Sequence, residues 1–421
     1  MILIFNYGSR PPGSKLPSPA TGSARRLTQP AIRNRPPAPA PGPMRSLLAS
    51  LPLLLAGLPA HPLLLAAQDE ETPRTTVGGY GEVHYTNPTG PDSPGHITFR
   101  RFVVYLAHEF SDRIAFRSEL EVENARLEGG EPGGELALEQ AYVDYRLSPA
   151  VTIRSGLLLP PIGIINEVHE PPTFNGVDRP AFDRDVIPTT WRELGVGVVG
   201  SLPGTPGLGY RVYLLNGLRA SGFSAESGIR GGRQEGADAS FANPSLTGRL
   251  EWVRPGLRVG GSFWYGGSSA ADPLLGTGTF DNAVTLVSAD ARYDVGPFMF
   301  RGVLARISIA DAQAIHAAYG TRIGSRIEGG YVEGAYNVLS ALAPSSPQRL
   351  NAFVRHERYN TLAGVPPGVT DDGSLARRIT TFGLTYRPLY NVVFKGDYQL
   401  QRTRAGTNEL DLLSLGVGYQ F

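Results

Sequence analysis

Hydrophobicity alternates with a period of two along most of this sequence, and no other feature narrows the possible folds as much. In "VTIRSGL" (151–157), Val151, Ile153 and Leu157 fall on one face and Thr152, Arg154 and Gly156 on the other. "LRVGGSFWY" (257–265) sets Leu257, Val259, Phe263 and Tyr265 against Arg258, Gly260, Ser262 and Trp264. The final stretch sets Leu413, Leu415, Val417, Tyr419 and Phe421 against Ser414, Gly416, Gly418 and Gln420. Successive side chains of a strand point to opposite sides, so each such segment predicts a strand with one apolar and one polar face. Sixteen segments read this way: 75–85, 96–110, 113–124, 135–147, 151–159, 193–201, 208–218, 245–253, 257–265, 282–294, 298–309, 326–339, 348–360, 376–387, 391–403 and 409–421. From Thr75 onward no apolar run approaches the ~18 residues that a membrane-spanning helix requires.

The connections alternate as well. Short links such as "SDR" at 111, "SPA" at 148, "RPG" at 254, "DVGP" at 294 and "RPLYN" at 387 follow even-numbered segments. Odd-numbered segments are followed mostly by longer Gly-, Pro- and Asp-rich stretches: 86–95, 125–134, 160–192, 219–244, 266–281, 310–325 and 361–375. An even number of strands, with short turns at one end and long loops at the other, predicts an all-β fold, a transmembrane antiparallel up-and-down β-barrel of about 16 strands. Tyr145, Trp252, Tyr293, Tyr336, Tyr386 and Tyr419 all lie near strand ends at one rim, where amphipathic rings prefer the boundary between hydrocarbon and headgroups. The last strand is expected to pair with the first, because an open sheet edge in lipid leaves backbone groups unsatisfied. A soluble β-sandwich or lipocalin-like fold has no reason to segregate long and short connections in this way.

Before residue 68 the pattern is absent. Arg45 after Met44 forms a positive n-region and Leu47–Ala67 an apolar h-region ending in small residues, so 44–67 is expected to be a secretory signal peptide cleaved near Ala67. Pro52, Pro59 and Pro62 argue against a spanning anchor helix there. Residues 1–43, rich in Pro, Arg and Ser, are expected to be disordered or to precede the true start codon, leaving 68–421 as the barrel domain. The first 67 residues carry seven basic side chains and no acidic one, against 39 basic and 38 acidic overall, so the remainder is net acidic and nucleic acid is not an expected partner. There is no cysteine, hence neither a disulfide nor a thiolate metal site.

A barrel of ~16 strands leaves an aqueous channel unless something fills it. The segment 160–192, "PPIGIINEVHEPPTFNGVDRPAFDRDVIPTTWR", is too long for a plain link and is stiffened by Pro171, Pro172, Pro180 and Pro188. It is expected to fold inward as a constriction whose Glu167, Glu170, Asp178, Arg179, Asp183, Arg184, Asp185 and Arg192 set a local field across the pore. An outward loop with solvated charges is the alternative. Charge on the lipid face is costly at mid-depth, about 2 to 4 kcal/mol each for Arg or Lys, so the wall charges belong to the lumen: Glu82, Arg117, Glu119, Glu121, Arg154, Arg258, Lys395 and Asp397.

The run "LPPIGIINEVHEPPTFNGVDRPAFDRDVIPTTWRELGVGVVG" (159–200), the opening "GYGEVHY" (79–85) and the closing "LGVGYQF" resemble the bacterial phosphate-selective porin O/P family. That resemblance implies a trimeric sixteen-stranded outer-membrane channel for small hydrophilic solutes or ions, its third loop narrowing the pore. It also implies recognition of the terminal Phe421 by the barrel assembly machinery. In that family phosphate selectivity is tied to lysines near the constriction, whereas this chain has only Lys15 and Lys395, so the resemblance does not extend to phosphate.

Two other classes compete. An outer-membrane hydrolase would need a nucleophile elbow, and no GxSxG occurs; His84, His96, His108, His169, His316 and His356 include no pair at helical metal spacing. Catalytic residues, cofactors and metal ligands are therefore expected to be absent. A plugged structural or adhesive barrel would have to be blocked by 160–192, since only Gln68–Arg74 precede the first strand; the loops 219–244 and 266–281 are expected to be mobile from their Gly, Ser and Ala content.

Overall fold

The computed structural model describes residues 74–90, 93–124, 134–276, 278–406 and 410–421. The expected signal peptide at 44–67, the extension at 1–43 and most of the loop 125–134 lie outside them. Sixteen strands follow one another: β1 (Arg74–Pro88), β2 (His96–Glu109), β3 (Ile114–Glu123), β4 (Glu135–Ser148), β5 (Val151–Leu158), β6 (Glu193–Ser201), β7 (Leu208–Asn216), β8 (Pro244–Arg254), β9 (Leu257–Gly266), β10 (Val284–Val295), β11 (Phe298–Ile309), β12 (Arg326–Asn337), β13 (Arg349–Gly364), β14 (Ala376–Leu389), β15 (Val392–Thr403) and β16 (Leu412–Gln420). Each pairs antiparallel with its sequence neighbours, and β1 pairs with β16 to close the ring. At the seam the Gly79 N–H donates to the Phe421 carbonyl at 3.0 Å and the Phe421 N–H donates to the Gly79 carbonyl at 2.8 Å. No helix among the described residues is long and apolar enough to cross a membrane.

The two faces of each strand meet different surroundings. In β10, Val284, Leu286, Ser288 and Asp290 are buried inside while Thr285, Val287, Ala289 and Ala291 are exposed outside. Leu304, Val332, Val354, Phe382 and Leu415 continue that exposed apolar outer face. It is bounded at the short-turn end by outward Tyr145, Trp252 and Tyr293, and at the long-loop end by Arg358, Arg378 and Arg402, which face one another in register on β13, β14 and β15.

Two sequence expectations change. The inner face is not wet throughout: Val284, Leu286, Val303, Ala305, Ile307 and Ile309 of β10 and β11 form an apolar lining in the long-loop half. The loop 219–244 is not loose either, because Ala220, Phe223 and Ile229 are buried against that lining together with Ile315 of the helix α1 (Ala312–Tyr319). Its Gly and Ser residues let the chain turn, while its few apolar residues decide where it packs.

Candidate functional site

The segment between β5 and β6 reaches wall strands on opposite sides of the ring, which a chain can do only from within a closed barrel. The Ser262 hydroxyl of β9 donates to the Pro161 carbonyl at 2.6 Å, Arg292 of β10 to the Ile164 carbonyl at 2.6 Å, and Arg301 of β11 to the Thr173 carbonyl at 2.9 Å. Asn175 donates to Glu333 of β12 at 2.9 Å, the Phe182 N–H to Glu357 of β13 at 2.8 Å, and the Val177 N–H to Asp397 of β15 at 2.6 Å. On the far side Asp178 lies 3.5 Å from His84 of β1, and His169 3.3 Å from Glu139 of β4.

The sequence explains why arginines do so much of this holding. A buried irregular backbone still needs partners for its polar groups, and this segment's prolines remove donors while leaving carbonyls. Arg387 therefore donates to the Pro172 carbonyl at 3.1 Å, Arg355 to that of Asn175 at 3.3 Å, and Arg233 to those of Pro188 and Thr190 at 3.3 and 3.2 Å. Apolar side chains fix the other side: Ile162, Ile165, Phe182, Ile187 and Trp191 pack into the cluster that lines β10 and β11, with the Trp191 ring 4.3 Å from that of Trp264.

Around the segment the wall is a set of ion-pair networks. Arg101 bridges Glu82 at 2.7 Å and Glu121 at 3.1 Å; Arg154 meets Asp144 at 2.8 Å. Arg249 joins Asp290 at 2.6 Å and Glu251 at 2.8 Å, and the fully buried Arg355 joins Glu333 at 3.3 Å and Glu357 at 3.0 Å. Two spaces flank the segment. One, of about 500 Å³, is lined by Arg154, Glu167, Arg211, Arg249, Arg258 and Arg292; the other, of about 100 Å³, by Glu82, His84, Arg101, Asp178, Arg179 and Arg230.

The residues singled out from the sequence are distributed as follows. Glu167 pairs with Arg211 of β7 at 3.1 Å, and Arg184 pairs with Asp185 at 2.7 Å, which also accepts a 2.6 Å bond from Tyr359 of β13. Arg179 donates to the His169 carbonyl at 3.3 Å, and Glu170 lies beside the 3-10 turn at Pro171–Thr173. Asp183 is wholly buried in the short turn Phe182–Asp185, and burial pushes its carboxyl up to about 8. Arg192 stands apart from these, between Glu135 at 3.4 Å and Glu235 at 3.3 Å. On the wall Glu82, Glu119, Glu121, Lys395 and Asp397 are buried inward, and Arg117 joins Glu109 by an ion pair. Lys395 places its ammonium 3.6 Å from the Phe174 ring centre.

Sequence reasoning passed over Glu139, Arg211, Arg249, Asp290, Glu333, Arg355 and Glu357. All but Glu139, where a bulge breaks the alternation of its strand, lie on the inward phase of their strands, so the same alternation that found the strands marks them.

Fold and lumen together define the class: a closed sixteen-stranded antiparallel barrel with a charged interior and a long segment seated inside it, the architecture of the bacterial outer-membrane porins. Solved structures of this shape include a Salmonella typhi OmpF in complex with daunomycin, with 15% identity, 82% of this chain and 97% of that one aligned, and a TM-score of 0.54. The outer membrane channel DcaP of Acinetobacter baumannii aligns at 13% identity over 83% of this chain and 97% of that one, TM-score 0.53. An anion-selective porin from Comamonas acidovorans aligns at 9% over 83% and 100%, TM-score 0.51. No family model matches the sequence. An uncharacterized protein of Aquifex aeolicus (strain VF5) is 36% identical over 335 residues, which cover 77% of this chain and 74% of that protein, and the chain belongs to the same family.

Proposed function

We propose that this protein is an outer-membrane porin through which small hydrophilic solutes or ions diffuse passively, along a water-filled lumen narrowed by the charged segment 160–192. One observation carries the reading: the segment crosses the interior of a closed barrel and leaves charge-lined space on either side, about 500 Å³ and about 100 Å³. Glu167, Glu170, Asp178, Arg179, Arg184 and Asp185 are the constriction charges, with Arg192 at its edge and Asp183 among them as a carboxyl that burial keeps protonated up to about pH 8. Glu167, Asp178 and Asp185 are tied to the wall groups Arg211, His84 and Tyr359, while Arg179 and Arg184 bond within the segment, which favours a fixed field over a mobile gate. The exposed apolar belt between an aromatic rim and an arginine rim supports a membrane-spanning barrel. Export by a signal peptide at 44–67, a barrel domain at 68–421, handling of Phe421 by assembly machinery and a homotrimeric state belong to the same proposal and rest on the sequence and its resemblance.

The test is single-channel recording of residues 68–421, refolded and inserted in a planar bilayer under a KCl gradient. Stepwise conductance is the expected result, and the reversal potential reads out whether arginines or acids dominate the path. Folded, heat-modifiable protein without conductance would overturn the open-channel reading in favour of a plugged barrel, for which the apolar packing of Ile162, Phe182 and Trp191 would then be the physical reason.

A further inference from the structure

We infer that Glu119, Glu139 and His169 form a divalent-metal site that clamps the inward segment to the barrel wall. The carboxylates come from β3 and β4 and the imidazole from the segment itself, and their ligating atoms all lie within 4.8 Å of one another. All three are buried, at 9%, 0% and 3% exposure. Their convergence has a local cause. The β3–β4 register shifts between Glu119 and Leu120, so Glu139 sits in a bulge beside Gln140, which faces Glu119. A bulge re-aims a side chain, and here two carboxylates are brought to one point of the inner wall.

Hydrogen bonding at the site calls for a cation. The Nδ1 of His169 lies 3.1 Å from the Asn166 carbonyl, which can only accept, so Nδ1 carries a hydrogen and a neutral ring presents its Nε2 lone pair to the wall. That lone pair is aimed at Glu139 Oε2, 3.3 Å away, an oxygen that already accepts a bond from the Tyr80 hydroxyl at 3.2 Å. Glu139 Oε1 and Glu119 Oε2 have no hydrogen-bond partner among the described residues. The nearby Arg101 is occupied by Glu82 and Glu121, while Arg179 donates to the His169 carbonyl. Either a proton on Nε2 or a metal ion between the three groups relieves the opposition of lone pairs, but a proton satisfies one pair of atoms and an ion satisfies all three ligands.

The surroundings have the character of an outer coordination shell. Metal-bound imidazoles usually donate their other N–H to a carbonyl that fixes ring orientation. Asn166, which supplies that carbonyl, is itself fully buried and held by bonds from its amide to the Pro160 carbonyl at 2.8 Å and the Trp191 carbonyl at 3.2 Å, and by the Trp191 N–H at 2.8 Å. Two carboxylates and one imidazole suit a borderline divalent ion such as Zn²⁺, with water completing the shell. Spacing along the sequence does not reveal the site, because its ligands lie on three separate elements and converge only through the bulge and the inward fold of the segment.

The probe is Zn²⁺ alone, titrated into the refolded, chelator-treated chain in detergent against a chromophoric chelator. One Zn²⁺ per wild-type chain is expected, with affinity falling at least tenfold in His169→Ala, Glu119→Gln and Glu139→Gln and unchanged in His356→Ala, whose ring is on the outer face. Replacing Zn²⁺ by Co²⁺ in the wild type is expected to give a visible band that saturates at the same stoichiometry, a readout that needs no variant to fold. Folded wild type that binds no Zn²⁺ would overturn the site and leave a protonated His169 paired with Glu139; undiminished binding by folded His169→Ala would overturn it in favour of surface histidines.

Discussion

Asp183 shows what a charge on the inward segment gives up by being there. It is fully buried, and burial pushes its carboxyl up to about 8 against the opposing pull of Tyr331 and Arg355. In the unfolded chain it titrates near the ordinary ~3.9. Between about 4 and 8 the folded chain keeps a proton that the unfolded chain has lost, so this residue's contribution to stability declines as pH rises through that window and levels off above it. Asp183→Asn removes the titration. The unfolding midpoint in urea, measured from pH 4 to 9, is expected to fall more steeply for wild type than for Asp183→Asn up to about pH 8. Parallel curves would show that the carboxyl is solvated. Counting Asp183 among the constriction charges from sequence thus identifies its place better than its state, since a proton held by burial leaves no trace in the sequence.

The segment and β16 meet closely enough that a single methyl group tests the contact. A Cβ built on Gly418 falls 2.4 Å from the Pro171 Cβ and 3.1 Å from Val393, and neither a proline ring nor a strand can yield cheaply. Gly418→Ala is expected to destabilise by about 1 to 3 kcal/mol through overpacking and to change single-channel conductance by displacing the segment. Gly302→Ala, whose nearest neighbour would be 3.6 Å away, is expected to change neither. Wild-type conductance from folded Gly418→Ala would mean that the 171 region does not shape the path. The strands were legible because each separates two different surroundings and so carries the period of two along its length. β13 runs on to Gly364, past the expected residue 360, where the alternation fades, pairing with β14 has ended at Asn360 and only Gly364 pairs with β12, across a register shift. Less legible was what fills the lumen. Leu286, Val303 and Ile307 occupy the phase expected to be polar, because their partners, such as Phe182 and Ile187, come from a distant segment that brings its own apolar face. Charged wall residues were legible by phase, but their pairing was not: Arg355 meets Glu333 through the β12–β13 register, and Glu139 meets Glu119 through a bulge.

Closure makes the sixteen strands into one molecule, and the seam is where it can be broken most cleanly. β16 pairs with β1 from Tyr80↔Gln420 to Pro88↔Leu412 and with β15 from Val392↔Tyr419 to Gln399↔Leu412. Removing 412–421 exposes two strand edges at once, and in hydrocarbon each unsatisfied backbone group costs several kcal/mol, a penalty no side chain repairs. The deletion is expected to give no heat-modifiable band on unboiled gels and no protease-protected core in lipid vesicles. Phe421→Ala separates pairing from side-chain effects. It keeps the backbone bonds to Gly79 and loses only ring contacts, with centres 6.4 Å from Phe102 and 6.5 Å from Tyr419. It is therefore expected to refold in vitro to a heat-modifiable barrel. Loss of folding in both variants would place the requirement on the terminal ring, whereas a heat-modifiable, conducting deletion variant would mean that fifteen strands close without β16 and that the seam is not what holds the ring together.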